Sequence, residues 1–142
     1  MTAQLPRGVR SNNPGNIDYN PRNAWQGQLG LEQGVAKPRF ARFDTPENGI
    51  RALGKLLLTY QRKHGLKTVK AIISRWAPAV ENDTAAYVRA VEANTGTRPG
   101  AEIDLAQAPV MAGFIKAIIH HENAGYAYPD SVLAEGVRRA LT

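Results

Sequence analysis

The segment FIKAIIHHENAG (residues 114–125) constrains what this chain can fold into more than any other part of it. Met111, Ile115 and Ile118 recur at helical spacing, and the next position on the same stripe is Glu122. A helix that buries this stripe therefore carries a carboxylate at its C-terminal end, on the buried side or where that side opens. The rest of the chain must cover this helix.

The expected surroundings of Glu122 favour a protonated carboxylic acid. Asn123 and Gly125 follow, and both residue types suit the left-handed turn that ends helices. The helix C-terminus is the negative end of the helix dipole, and apolar neighbours desolvate the acid, so both raise its pKa. An acid that stays protonated near neutral pH can donate a proton, which makes Glu122 the candidate catalytic residue. The alternative is an exposed last-turn residue without a task.

The composition of the chain limits which partners it can bind and indicates where in the cell it is made. A chain of 142 residues with 43% hydrophobic content is expected to be a single domain over residues 1–142. The net charge of +6 favours nucleic acid, a membrane surface or an anionic cell-wall polymer, although a merely soluble basic protein has the same charge. The chain has no cysteine, and its first residues lack an apolar signal core. We expect synthesis in the bacterial cytoplasm without a signal peptide and no stable membrane insertion.

The first third of the chain is expected to be a long turn-rich loop. Residues 12–16 are dense in turn formers, and glycines and prolines interrupt any periodicity over residues 7–42. Trp25 and Phe40 offer apolar surface that can pin this loop down. Short extended pieces are expected near residues 16–19 and 40–43.

The remainder predicts helices. Thr45 and Pro46 suit the start of a helix that ends near Gly65. Further helices are expected over residues 68–77, from a cap at Asp83 or Thr84 to residue 93, over residues 109–122, and from a cap at Asp130 onward. The predicted fold is mainly α.

Metal and nucleophile chemistry are not favoured. His120, His121 and Glu122 are adjacent, and adjacent helical positions diverge by about 100°, so they cannot chelate one ion. We expect no metal and no cofactor, with a zinc peptidase as a distant alternative that a chelator would test. His121 can orient or tune Glu122, or it is a solvated residue of the last turn. No serine elbow, phosphate loop or nucleic-acid module is recognisable.

The remaining candidate chemistry is acid–base catalysis by carboxylates. Glycoside cleavage needs a protonated acid and usually a second carboxylate. The candidates for the second group are Glu81, Asp83, Asp44 and Asp18. Residues 76–87 are polar, lie between two predicted helices and can form the lip of a sugar cleft, although Asp83 as a helix cap and Trp76 as a core residue explain much of the segment.

Three segments carry a resemblance to a known group. RGVRSNNPGNI (residues 7–17) with WQG (25–27), FDTPENGIRAL (43–53) and the segment 76–87 resemble small phage and prophage proteins, which are labelled virion structural proteins or lysozyme-like lysins. Their order is also similar to that of flagellar-type glucosaminidases. In those enzymes, and in lytic transglycosylases, the helix with the catalytic glutamate precedes the loop, whereas here it resembles residues 117–125.

The resemblance therefore implies a lysozyme-like domain that is circularly permuted, with the catalytic helix moved toward the C-terminal end. Chain termini of compact domains often lie close together, so such a permutation is physically tolerable. Ser11 and Asp18 depart from the family pattern, where Asn and a basic residue are expected.

The sequence thus predicts a monomeric phage or prophage enzyme that cleaves the glycan strand of peptidoglycan, as a hydrolase or a lytic transglycosylase. Glu122 takes the general-acid position that the resemblance implies. The predicted substrate contacts are Asn13, Asn16, Trp25, Glu81, Asn82 and Tyr87. Action in the periplasm or cell wall would follow release by a holin or delivery by a virion. A non-catalytic virion or wall-binding protein with the same fold is the alternative.

Overall fold

The apolar stripes of the sequence fold into helices around one hydrophobic core. The structure, a computed structural model, describes residues 4–77 and 83–142. Within these ranges the helices are α1 (Arg7–Arg10), α2 (Pro46–His64), α3 (Val69–Trp76), α4 (Thr84–Thr95), α5 (Ala108–Glu122) and α6 (Asp130–Ala140). The strands are β1 (Gln28–Leu31) and β2 (Ala41–Phe43). The prediction of a mainly helical chain is confirmed.

Three of the described helices begin at a side-chain cap, and the sequence predicts two of these caps, at Thr45 and Asp83. The side-chain oxygens of Thr45, Thr68 and Asp83 each accept a backbone N–H from the first turn of α2, α3 and α4. Gly65 ends α2 with a φ of 67°. The cap predicted at Asp130 is wrong, because Asp130 is the first residue of α6 and its charge instead complements the positive helix end.

Helix α5 is enclosed by its neighbours. It contacts α4, α6 and α2, and its residues Met111, Phe114, Ile115 and Ile118 are fully buried. Burial on several sides explains its high apolar content beyond the single stripe. None of the helices in the described ranges combines the length and the hydrophobicity that crossing a bilayer requires.

Helices α2 and α6 approach closely because small residues separate them. A Cβ added to Gly54 would lie 2.6 Å from the Cβ of Ala140, and one added to Gly136 would lie 2.4 Å from Cγ2 of Ile50. Neither site has room for a methyl group, since non-bonded carbons prefer about 3.5–4.0 Å.

The first third of the chain is more ordered than its composition predicts. Strands β1 and β2 pair antiparallel, with Leu31 opposite Ala41, and Asp18 forms an isolated bridge with Phe40. The extended segment expected near residues 40–43 is therefore present. The prediction of loop for α1 and β1 is wrong, because β1 owes its extended form to hydrogen bonds with β2 rather than to local preference.

Asn13 holds the N-terminal loop together from inside. Its side chain is fully buried, and its Nδ2 donates to the carbonyl oxygens of Ile17 (3.0 Å) and Ala41 (2.9 Å). Its Oδ1 accepts the Ile17 N–H at 3.0 Å. One carboxamide thus bonds three backbone groups, and an apolar residue could bond none of them. The Ile17 carbonyl oxygen also accepts the Ala41 N–H at 2.9 Å.

The same loop lies directly on α2. A Cβ added to Gly49 would lie only 1.8 Å from the backbone oxygen of Asn12, so only glycine permits this approach. Asn12 also donates from Nδ2 to the Phe43 carbonyl oxygen at 3.1 Å. The loop is thereby fixed to both α2 and β2.

A buried ion pair joins α1 to the residues beyond β1. The Glu32 side chain is fully buried, and its two oxygens accept hydrogen bonds from Nε and Nη2 of Arg7. The backbone N–H groups of Arg39 and Phe40 also donate to it, at 2.8 and 3.0 Å. The Arg7 guanidinium and these N–H groups lower the pKa of Glu32 from 4.5 to about 2, against the effect of burial.

The Glu32 contacts predict acid sensitivity. Because the folded pKa lies below the unfolded value, this stabilisation is fully present above pH 4.5 and is lost as the pH falls toward 2. Glu32→Gln should lower the free energy of unfolding at pH 7 by about 2 kcal/mol, since hydrogen bonds to a charged group contribute roughly that amount. Urea denaturation from pH 7 to pH 2 should show a flatter dependence for the variant. Glu102→Gln, at an exposed position, is the control, and equal slopes for both variants would contradict the assignment.

Candidate functional site

A cleft of about 760 Å³ opens between the N-terminal loop and the helices α2, α3 and α5. Among the described residues, its apolar and aromatic lining consists of Ile17, Phe40, Leu56, Tyr60, Trp76 and Ala77. Its polar lining consists of Asn16, Asp18, Asn20, Asn23, Arg39, Arg75 and Glu122, with Gly15 beside them. The volume is typical of small-molecule and cofactor sites, and a long polymer could extend beyond it.

Glu122 ends α5 at the wall of this cleft. Its side chain is half-buried, and it forms no hydrogen bond or ion pair with any residue that the structure describes. Burial raises the pKa of the Glu122 carboxyl above its ordinary value. The group is therefore desolvated, is not committed to a protein partner and can be reached from the cleft.

Asn123 fixes the position of Glu122 relative to the N-terminal loop. The side chain is 1% exposed, and its Nδ2 donates to the carbonyl oxygens of Pro14 (2.7 Å) and Ile119 (2.9 Å). The expectation that Asn123 takes the left-handed turn is wrong, since its φ is −125°. The next two residues, Ala124 and Gly125, have φ values of 51° and 87°, and the Gly125 N–H closes the helix on the His120 carbonyl oxygen.

Asn16 lies on the loop side of the cleft, close to the end of α5. It has a φ of 49°, a left-handed conformation that asparagine tolerates better than most residues. Its Oδ1 is buried without a hydrogen-bond partner among the described residues, and it would lie 2.7 Å from a Cβ added to Gly8. The structure thus brings together Asn16 and Glu122, two predicted site residues from opposite parts of the chain.

An aromatic group supports the α5 end. His121 stacks on Tyr87 with ring centroids 3.8 Å apart and an interplanar angle of 28°. Trp76 donates from Nε1 to the Tyr87 hydroxyl at 3.2 Å. Burial, and next the charge of Glu122, raise the pKa of Tyr87, so its hydroxyl stays protonated.

His121 is a neutral neighbour rather than a second cation. Desolvation and then the charge of His120 lower its pKa, and Asp83 opposes them. A role for His121 in tuning Glu122 remains a prediction.

Several predicted contacts need correction. Asn13 and Tyr87 are fully buried, so each shapes the site through hydrogen bonds or stacking and cannot contact a substrate directly. Trp25 packs partly buried against the core and is absent from the described lining of the cleft. Glu81 and Asn82 lie outside the described residues.

The candidates for a second carboxylate differ in whether they line the cleft. Asp83 caps α4, and Asp44 accepts a hydrogen bond from Asn48 at 2.9 Å, away from the cleft lining. Asp18 lines the cleft and forms an ion pair with Arg39 at 2.6 Å. Of the candidates that the structure describes, Asp18 alone shares a cleft with Glu122. No group of three or more His, Asp or Glu side chains that could hold a metal occurs in residues 4–77 and 83–142.

Sequence reasoning missed part of the lining. Trp76 packs half-buried against the core, as predicted, and it also lines the cleft. Tyr60 belongs to the apolar stripe of α2, and Arg75 is one of many scattered basic residues. Tyr60, Arg75 and Trp76 line the same cleft because α2 packs against α3, and the sequence alone does not show this packing.

The chain is similar in sequence to a bacteriophage protein. Over 135 residues the chain is 36% identical to Protein P5 of Pseudoalteromonas phage PM2, and the alignment covers 94% of this chain and 81% of that protein. No model of a known protein family matches the chain.

The Asn123 contacts predict a large effect of an isosteric change. Asn123→Asp replaces the Nδ2 donor by an oxygen that faces the carbonyl oxygens of Pro14 and Ile119. The variant should lose about 3 kcal/mol of unfolding free energy at pH 7, because two buried acceptors lose their donor and a charge is buried. Urea denaturation measures the loss. Asn94→Asp, at an exposed position, is the matched control, and a difference between the two variants below about 0.5 kcal/mol would contradict the role of Asn123.

Proposed function

The chain belongs to the family of Protein P5 of Pseudoalteromonas phage PM2, and from this membership and the geometry of the cleft we propose that it cleaves the glycan strands of bacterial peptidoglycan. One observation carries the proposal. The Glu122 carboxyl is desolvated, is unpaired within the described residues and opens into a cleft of about 760 Å³. A carboxylic acid in such surroundings suits the proton donor of a glycosidase.

The chemistry follows from the position of the acid. Glu122 donates its proton to the glycosidic oxygen as the bond from that oxygen to the anomeric carbon breaks. The leaving sugar departs as a neutral alcohol, and the other sugar develops positive charge over its ring oxygen and anomeric carbon. Glu122, now a carboxylate, then accepts a proton from the nucleophile that attacks the anomeric carbon.

The lining of the cleft suits a sugar chain. Trp76 offers aromatic surface for the apolar face of a sugar ring. Guanidinium groups lie over the Tyr60 and Phe40 rings, so these two rings mainly position charged side chains in the cleft. Asn16, Asn20 and Asn23 supply amide donors and acceptors for hydroxyl and acetamido groups. This mixture of apolar surface and neutral polar groups suits the sugar rings of a glycan strand.

The proposal includes a lysozyme-like fold with circular permutation. It is supported by the hydrogen bond from Asn123 to Pro14, which joins the end of α5 to the loop of residues 12–16. In the unpermuted order a glutamate helix would run directly into such a loop. In this chain the two segments are far apart in sequence and adjacent in space.

The charge and the phage relative suggest where the protein acts. The net charge of +6 favours approach to the anionic bacterial envelope, and the attraction weakens as salt screens it. We propose that the protein reaches peptidoglycan in the periplasm or cell wall as a monomer, either after release through a holin or as part of a virion.

Loss of the acid should abolish cleavage. Glu122→Gln keeps the size of the side chain and removes its proton, so clearing of outer-membrane-stripped Gram-negative cell walls should slow at least ~100-fold. Wild-type activity should fall on the alkaline side, as the pH rises through the raised pKa of Glu122. Turbidity of the walls measures both effects. Glu102→Gln, an exposed change of the same kind, should behave as wild type.

Two outcomes would redirect the assignment. If Glu122→Gln and wild type clear the walls equally, Glu122 is not the acid. If folded wild type clears nothing, the protein is a non-catalytic virion or wall-binding component.

The role of Asp18 separates hydrolysis from transglycosylation. A hydrolase that uses Asp18 as base or nucleophile should lose at least ~100-fold in rate on Asp18→Asn and should release products that contain one added water. A lytic transglycosylase works with a single acid–base, so the same variant should lose less than tenfold, and its products should lack that water. Mass spectrometry of the released fragments, with Asp104→Asn as an exposed control, distinguishes the two reactions.

A further inference from the structure

One cation of the cleft lies over an aromatic ring and has no acidic partner among residues 4–77 and 83–142. Arg75 lies in the last turn of α3, and its guanidinium carbon is 5.1 Å from the centre of the Tyr60 ring on α2. Both residues line the same cleft as Glu122. A guanidinium over an aromatic face is attracted by the electron-rich ring and is restricted in orientation.

Of the two arginines in the described lining of the cleft, Arg39 has an acidic partner and Arg75 has none among the described residues. Arg39 is paired with Asp18 at 2.6 Å, so these two charges compensate each other. Arg75 has no acidic partner within the described residues. Burial raises the pKa of Tyr60, although Arg75 partly opposes it, so the phenol stays neutral and does not cancel the charge of Arg75.

A neutral glycan offers this cation hydrogen-bond acceptors but no opposite charge. Sugar hydroxyl and acetamido groups are uncharged, whereas the peptides on peptidoglycan strands carry free carboxylates. A guanidinium binds a carboxylate through two parallel charge-assisted hydrogen bonds, which makes this pairing stronger and more directional than a contact with a hydroxyl. The strand that fits this cleft therefore carries a carboxylate near the scissile bond.

We propose that Arg75 binds a carboxylate borne by the glycan strand and thereby makes the peptide-bearing strand the preferred substrate. This inference rests on the proposed function, and it names a specificity-determining residue of the same site. Arg75 contacts a group that does not react, so it contributes to binding in the ground state and in the transition state alike. Its removal should therefore raise KM and leave kcat nearly unchanged.

The experiment compares two forms of one substrate. Soluble peptide-bearing strands are acetylated on their amines, and half of them are then amidated on their carboxylates with carbodiimide and ammonia. Wild type should show a KM that is roughly 10- to 100-fold lower for the carboxylate form, as one charge-assisted pairing gives. Arg75→Gln should treat both forms alike, and Arg75→Lys should recover part of the preference. Arg62→Gln removes an equal charge outside the cleft lining and should keep the wild-type preference.

A third substrate locates the carboxylate. Removal of the peptides by an amidase hydrolyses the amide on the lactyl group, so these strands carry a newly freed lactyl carboxylate in place of the peptide carboxylates. If wild type binds them as tightly as peptide-bearing strands, Arg75 accepts either carboxylate and the requirement for peptides is wrong. If their KM rises to that of the amidated strands, the partner is a peptide carboxylate.

The outcomes for Arg75 and for cleavage are independent. An equal KM of wild type for both forms, or an equal loss on both forms in Arg75→Gln, would overturn the role of Arg75 while cleavage by Glu122 stands. If wild type cleaves nothing, the proposed function fails, and binding to the same immobilised strands replaces KM as the measurement. A preference for the carboxylate form that disappears in Arg75→Gln would then still support the inference, and its absence would refute it.

Discussion

The geometry of the site depends on one side-chain amide. Asn123 follows Glu122 directly, and its buried Nδ2 is shared between the Pro14 carbonyl of the N-terminal loop and the Ile119 carbonyl of its own helix. One bond fixes the end of α5, and the other fixes the loop against it. The walls of the cleft come from these two segments and from α2 and α3, so their separation sets where a ligand meets the Glu122 carboxyl.

The loop can serve as a wall because it is rigid without being regular. Asn13 bonds three backbone groups from the inside, and Gly49 allows the Asn12 backbone to touch α2. Glu32 binds the two ends of the same region together. In this segment buried polar side chains pair with backbone N–H and C=O groups, as neighbouring strands do in a sheet. Substitution of Asn13 or Glu32 would leave several buried backbone groups without a partner, so these two positions tolerate little change.

Local chemistry in the sequence predicted the helices and the position of Glu122, because caps and apolar periodicity are properties of neighbouring residues. Thr45 and Asp83 are examples of caps that form as expected. What the sequence could not give was the pairing of distant parts. Strand β1 forms because it pairs with β2. Arg75 can be recognised as a cleft residue only once α3 places it over the Tyr60 ring. The sequence alone predicts Asn13 and Tyr87 as ligand contacts, because polar and aromatic residues occur both at binding surfaces and in interiors, whereas both are buried.

The bond between Asn123 and Pro14 also bears on the order of folding. Its partners are 109 residues apart, and closing a flexible loop of that length costs about 4 kcal/mol of chain entropy. Local helices can form before this contact, whereas pairings of such sequence separation form slowly and only when other contacts have already shortened the loop. We therefore expect the cleft to form late in folding, after the helices and much of the core.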